Sequence, residues 1–153
     1  MTDDVRAALT PLLPNVRLRA INVHGLEVRR REGDKLTADT EMQSAIEQAF
    51  RAGDNSFSYR TTITLDNEAI FLEVIISADY QLEDAREVLG ETSLQAAFGQ
   101  YIAMPAVWPF MRQRVYDLSS ALGIPPVVMP MWLPDDVVLE RVSPDEESSD
   151  LQD

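Results

Sequence analysis

The strongest constraint on this chain is a stretch of alternation between Phe57 and Tyr80. Phe57, Tyr59, Thr61, Ile63 and Leu65 take every second position against Ser58, Arg60, Thr62 and Thr64. After the turn residues Asp66, Asn67 and Glu68, the chain runs back with Ile70, Leu72, Val74, Ile76 and Ala78 in the same rhythm. Side chains of a strand point alternately to its two faces, so this pattern of β-branched and aromatic residues predicts a β-hairpin. The returning strand also carries Phe71 and Ile75 on its second face. A strand apolar on both sides needs cover on both, from another layer or another subunit.

Other segments place themselves around the hairpin. Asp3 or Asp4 can cap a short helix through Leu9 that Pro11 and Pro14 end. Val16 to Arg31 reads as extended, with Gly25 marking a bulge or bend and Arg29, Arg30 and Arg31 forming a solvated strand end. Glu32 to Thr40 is a polar connection. From Thr40 to Ala52 two readings compete: Met42, Ile46, Ala49 and Phe50 fit a helical face, and Met42, Ser44, Ile46, Gln48 and Phe50 fit one face of a strand. Periodicity leans towards helix there. Gly53, Asp54 and Asn55 signal a turn.

Beyond Glu83 the period becomes helical. Thr92 or Ser93 can cap a helix holding Leu94, Ala97, Phe98 and Tyr101 that stops near Pro105. Pro109 suits the first turn of a second helix, whose Trp108, Met111, Val115, Leu118 and Leu122 make one apolar stripe. Gly123 is placed to cap it, and Pro125 and Pro126 prevent continuation. Val127 to Trp132 is apolar and broken by proline.

Charge narrows function. Across 153 residues, 26 acids oppose 13 bases, a net charge of −13. Such a balance argues against partners held by negative charge, nucleic acid and anionic membranes alike. From Leu133 to Asp153 eight acids meet one base, Arg141, so that segment carries −7 and the body from Met1 to Trp132 carries −6. The chain divides into an N-terminal extension (1–15), a domain (16–132) and an acidic tail (133–153). The acidic opening does not resemble a signal peptide and no apolar run is long enough to span a bilayer, so the cytoplasm is expected.

Chemistry-bearing motifs are sparse. With no cysteine and one histidine, His24, thiolate and histidine metal sites are not expected. No phosphate-cradling glycine loop and no nucleophile elbow occurs, so no cofactor is expected and an enzyme is disfavoured. His24 reads as a strand-end histidine, Glu73 as a solvent-facing or ion-paired strand residue, and the pairs Asp135–Asp136 and Glu146–Glu147 as solvated acids. In excess are soft apolar side chains: Met42, Met104, Met111, Met129 and Met131 with Phe50, Phe71, Trp108, Phe110 and Trp132. Such residues can repack around many partners at an exposed groove.

Four stretches together resemble the second half of the SecB export chaperones: YIAMP (101–105), WPFMR (108–112), VYDL (115–118) and GIPP (123–126). The hairpin stretches YRTTIT (59–64) and AIFLEV (69–74) fit as well. The VYDL and GIPP forms are most similar to SecB-like chaperones coupled to toxin–antitoxin systems in actinobacteria. The resemblance covers about Val16 to Trp132. It implies an α+β fold, a four-stranded antiparallel sheet with helices on one face, assembled as a dimer of dimers. It also implies a strand over Glu41 to Phe50, and we follow it there.

By position, the resemblance puts a client-binding groove at Met42, Ile46, Phe50, Leu72, Val74, Ile76, Met129, Met131 and Trp132. It puts an oligomer interface at Leu94, Ala97, Phe98 and Tyr101. The function it implies is an ATP-independent holdase, a homotetramer that binds unfolded preproteins for export. The alternatives are a dedicated chaperone of an antitoxin and an acidic adaptor for one folded partner. Export SecB docks the SecA motor through acids on its first and last strands. Here Gly25, Arg29, Arg30 and Arg31 leave only Glu27 acidic on the first, and a register shift of one turns Glu73 to the other face. SecA is therefore a doubtful partner.

Overall fold

The computed structural model describes residues 1–31, 42–123 and 125–131, together with the backbone of Glu140 and Arg141. Its frame is a sheet of four antiparallel strands: β1 (Arg17–Arg30), β2 (Gln43–Ala52), β3 (Ser56–Asp66) and β4 (Ile70–Gln81), in spatial order β1-β4-β3-β2. The hairpin forms where alternation predicts it, with Asp66 opposite Phe71 and Phe57 opposite Tyr80. Its turn is closed by Asn67, whose Oδ1 accepts from the backbone N–H groups of Ala69 and Ile70, both at 2.8 Å. Residues 42–52 resolve the competing readings: β2 is a strand, against the helical lean of its periodicity. The polar connection expected over Glu32–Thr40 lies outside the described residues, as do Trp132 and the acid pairs Asp135–Asp136 and Glu146–Glu147.

β1 pairs with β4 and slips register twice, at Arg19 and at His24. The expected irregularity at Gly25 is thus a bulge one residue earlier. β5 (Glu140–Arg141) lies parallel to β2 on its outer edge, with Glu140 opposite Glu47 and Arg141 opposite Gln48.

Helices cover one face of the sheet. α1 (Asp3–Leu9) begins in an uncapped manner after Thr2, with Asp3 and Asp4 inside its first turn. Its Leu9 and the following Leu12 are buried in the main core. α2 (Ala85–Val88) is one turn that sequence patterning missed. α3 (Thr92–Phe98) does not stop near Pro105. It passes through a π turn (Gly99–Ala103) into α4 (Met104–Ala121), which runs on past Pro109. Proline removes a backbone donor, and a π turn changes the hydrogen-bond spacing beside that loss, so the chain bends its ladder and continues. Gly123 ends α4 region at φ +70, a left-handed conformation that suits glycine.

The core lies between sheet and helices. Ile63, Leu72, Val74, Ile76 and Ala78 meet Phe98, Met104, Met111 and Val115 there. Phe98 sits among Phe57, Tyr59 and Tyr80, with ring centroids 5.1 to 5.7 Å away. Gly99 is where helix and sheet approach most closely: a Cβ there would strike the Gln48 side-chain oxygen and come within 2.9 Å of Tyr59.

Candidate functional site

Two apolar borders remain where the helix layer ends. The first lies along β2. Its Ile46 and Gln48 are buried, and Met42 and Phe50 are half-buried against the core. Gln48 is held by donating its amide towards Gly99 O and Thr61 Oγ1, each at 3.4 Å. Phe50 packs on Tyr59 with centroids 5.0 Å apart. The Tyr59 hydroxyl donates to Gln95 O at 2.7 Å, fastening α3 to the sheet. Leu94, Tyr101 and Ile102 are half-buried against the same core.

The second border runs along α4. Val127 to Met131 is extended chain pinned by three side chains: Trp108 Nε1 donates to Pro130 O (3.1 Å), Arg112 Nε donates to Met129 O (3.2 Å), and Ser119 Oγ accepts from Val127 N (2.8 Å). Trp108, Arg112 and Ser119 are spaced four and seven residues apart, one and two turns along one helix face, which is why a proline-broken strip can follow them. Met129 then turns inward at 8% exposure, and Val128 (73%) and Met131 (66%) turn out. Phe110 and Tyr116 are also exposed on α4. Between strip and helix is a hollow of about 140 Å³ lined by Pro109, Arg112, Tyr116, Val128 and Met129. Small-molecule sites usually run from ~300 Å³ upwards. A hollow this size suits one side chain of a polypeptide.

A larger open hollow of about 800 Å³ lies elsewhere, between α1 and the ends of β1 and β4, where Pro11, Pro14, Arg17, Gln81 and Glu83 line it. Leu12, Val88 and Leu94 also line it.

The expected groove is only partly assembled. Leu72, Val74 and Ile76 have no exposed surface: they are on the helix-covered face, so they build the core and cannot touch a client. Of the expected oligomer interface, Phe98 (0%) lies in this chain's own aromatic cluster and Ala97 (7%) is buried in its core. Leu94 and Tyr101 stay half-buried. Met42, Ile46 and Phe50 share the β2 border, and Met129 and Met131 share the α4 strip. Tyr116, Phe110 and Val128 were missed as site residues. Phe110 and Tyr116 fall off the Trp108–Met111–Val115 stripe, a signal that they face outward.

The opposite face of the sheet is polar. Phe71 and Ile75 are half-buried on it, and the Arg29 guanidinium lies 4.5 Å from the Phe71 ring centroid. His24 Nε2 and Ser77 Oγ are 2.7 Å apart, Ser77 Oγ lies 3.4 Å from Asp79 Oδ1, and Asn22 donates to Asp79 Oδ2 at 2.6 Å. The residue types are those of a hydrolase triad, but here the aspartate binds the serine and leaves the exposed histidine unoriented. Glu27 faces Glu73 directly across β1 and β4, so the two carboxylates share the open face. Burial first, then the charges of Glu27 and Glu47, raise the Glu73 carboxyl above its ordinary range, with Arg29 opposing. Among the described residues no three of His, Cys, Asp and Glu cluster as metal ligands. Among them, too, no helix is long and apolar enough to cross a membrane.

With this geometry in place, solved structures can be compared. A SecB-like chaperone from Mycobacterium tuberculosis, Rv1957, in complex with a ChAD peptide from the HigA1 antitoxin, superposes with a TM-score of 0.69. The match covers 85% of this chain and 96% of that one, at 16% identity. The fold is SecB-like. A protein of unknown function from Streptococcus agalactiae superposes with a TM-score of 0.43 at 15% identity, over 76% of this chain and 97% of that one. No protein-family model and no curated protein matches the sequence itself. Among the described residues, apolar surface stays open on α4 and its strip (Phe110, Tyr116, Val128, Met131) and on β1 (Leu18, Val23, Leu26), and β2 keeps Met42 and Phe50 half-buried.

Proposed function

We propose that this protein is a chaperone that holds an extended, apolar segment of another polypeptide, with an antitoxin as the favoured client. The observation that carries the reading is the SecB-like fold matched along 85% of the chain by a chaperone solved with an antitoxin peptide. That match puts the antitoxin reading ahead of the export reading that the sequence motifs placed first. The surface agrees with it. An unfolded segment offers apolar side chains and unpaired backbone, and the strip at Val128 and Met131 offers apolar surface beside a hollow for one anchor.

A general holdase is the second reading, favoured by the openness of that strip, since surface without a closed shape accepts many sequences. In either case the chain acts in the cytosol and without nucleotide. Assembly into a homotetramer fits the exposed Leu18, Val23 and Leu26 of β1, which share its helix-side face at the sheet's outer edge. Arg29, ion-paired to Glu27 at 2.8 Å, places a cation within the Glu27–Glu73 pair and disfavours a cationic SecA tail there.

The test is calorimetric titration with a reduced, alkylated and permanently unfolded protein, and with the ChAD peptide of the HigA1 antitoxin. Binding is expected, and V128D/M131D should weaken it roughly tenfold, since one or two hot-spot contacts carry about 1.4 kcal/mol. Its thermal midpoint should stay within a degree or two, because both side chains are exposed. No binding of any unfolded polypeptide by the parent chain would overturn the proposal.

A further inference from the structure

The two outer edges of the sheet are built differently. β1 slips register against β4 at Arg19 and His24, which breaks up its free edge. β2 pairs with β3 residue for residue from Gln43 opposite Asp66 to Ala52 opposite Phe57, with no slip. Its outer side therefore presents a regular row of backbone donors and acceptors, the geometry that recruits another strand. That row borders the apolar surface of Met42 and Phe50. A polypeptide paired there would satisfy its backbone on β2 and turn alternate side chains towards that surface.

The edge already has an occupant. Glu140 and Arg141 pair with Glu47 and Gln48 from the same chain. Among the described residues β5 pairs through Glu140 and Arg141 alone, at two positions of the ten-residue β2, a weak hold for a strand of that size. It is also tethered. Glu140 comes nine positions after Met131, at the end of the strip that Trp108 and Arg112 fasten to α4. Tethering over such a span gives a local concentration on the order of millimolar, enough to seat a weak strand.

We propose that the Glu140–Arg141 segment is a built-in competitor, holding the β2 edge until an extended client pairs over more residues and displaces it. The proposal rests on the client-binding reading above and adds a regulation to it. Apparent client affinity is lowered by the fraction of molecules whose edge is taken, so a short or poorly matched segment is refused and a long one is accepted.

The experiment uses the full chain and a variant, E140P/R141P, in which both backbone N–H groups of β5 are gone. Two readouts are taken. Amide hydrogen exchange over Glu47–Ala49, with no client present, should be faster in the variant. Affinity for the reduced, alkylated protein should be tighter by roughly three- to tenfold, the factor expected when about two-thirds to nine-tenths of the edges were occupied. Unchanged exchange would overturn the seating of β5. Faster exchange with unchanged or weaker affinity would overturn the competition. Faster exchange with no binding by either form would remove the client-binding reading, and the competitor role with it.

Discussion

Ile75 and Ile76 are neighbours in the chain and lie on opposite faces of β4. Ile76 has no exposed surface beneath the helices, and Ile75 is half-buried on the open face beside Gly25. The contrast extends along the whole sheet. The helix side holds Phe57, Tyr59, Ile63, Val74 and Phe98 in one apolar mass, and the open side holds Thr62, Thr64, Glu27, Glu73, Arg29 and Asp79. A single residue of register decides which environment a side chain meets. Stability is thus concentrated on one face, and the other is free to carry charge.

The largest effect follows from that pair. Ile76→Asp buries an unpaired carboxylate and should cost more than about 4 kcal/mol, enough to prevent folding. Ile75→Asp should cost under about 2 kcal/mol and leave a folded chain. Urea unfolding followed by circular dichroism measures both. Equal losses would break the distinction between the faces.

The same parity explains what could be read from sequence. The hairpin was legible because its two periods agree with a single buried face. β2 was not, because its inward positions include Ser44 and Gln48 as well as Ile46 and Phe50. Gln48 is tolerated inside only because Gly99 O and Thr61 Oγ1 receive its amide, and those partners come from far along the chain. Pro105 reads as a helix stop and Pro109 as the first turn of a new helix because a π turn leaves no local signature. Leu72, Val74 and Ile76 were assigned to a groove from the strand they occupy, without regard to which face they take. Met131 needed no such knowledge: a proline-broken apolar strip cannot be a helix or an inner strand, so its outward residues stay accessible, and the same argument would have added Val128.

An intermediate effect tests the contact between the layers. Gly99 lies against Gln48 and Tyr59 with no room for a side chain. Gly99→Val should push the π turn off the sheet and cost about 1–3 kcal/mol, the usual range for overpacking. It should also free the Tyr59 hydroxyl from Gln95 O, which lies 2.7 Å away in the parent. Differential scanning calorimetry gives the loss. A midpoint equal to the parent's would mean that the two layers slide past each other more readily than this packing allows.

The smallest effect belongs to the open face, where the substitution stabilises and the gain fades as pH falls. Glu73 sits across from Glu27, and burial and that neighbour raise its carboxyl above the ordinary range. A carboxyl that holds its proton more tightly in the folded chain than in the unfolded one links folding to proton uptake. Above the raised value Glu73 is ionised and its penalty is fully present. As pH falls through that value the penalty is relieved, and it is gone below the ordinary carboxylate range. Glu73→Gln removes the charge without removing the side chain. It should therefore stabilise the protein at pH 7 by about 0.5 kcal/mol, the scale of a like-charge cross-strand pair at a partly exposed site. Parent and variant should converge by about pH 3, where the parent's carboxyl is protonated in both states. Thermal melts of the two at pH 7, 5 and 3 would show it. A gain of equal size at all three would assign the effect to packing, and the charge on this face would then carry no cost to relieve.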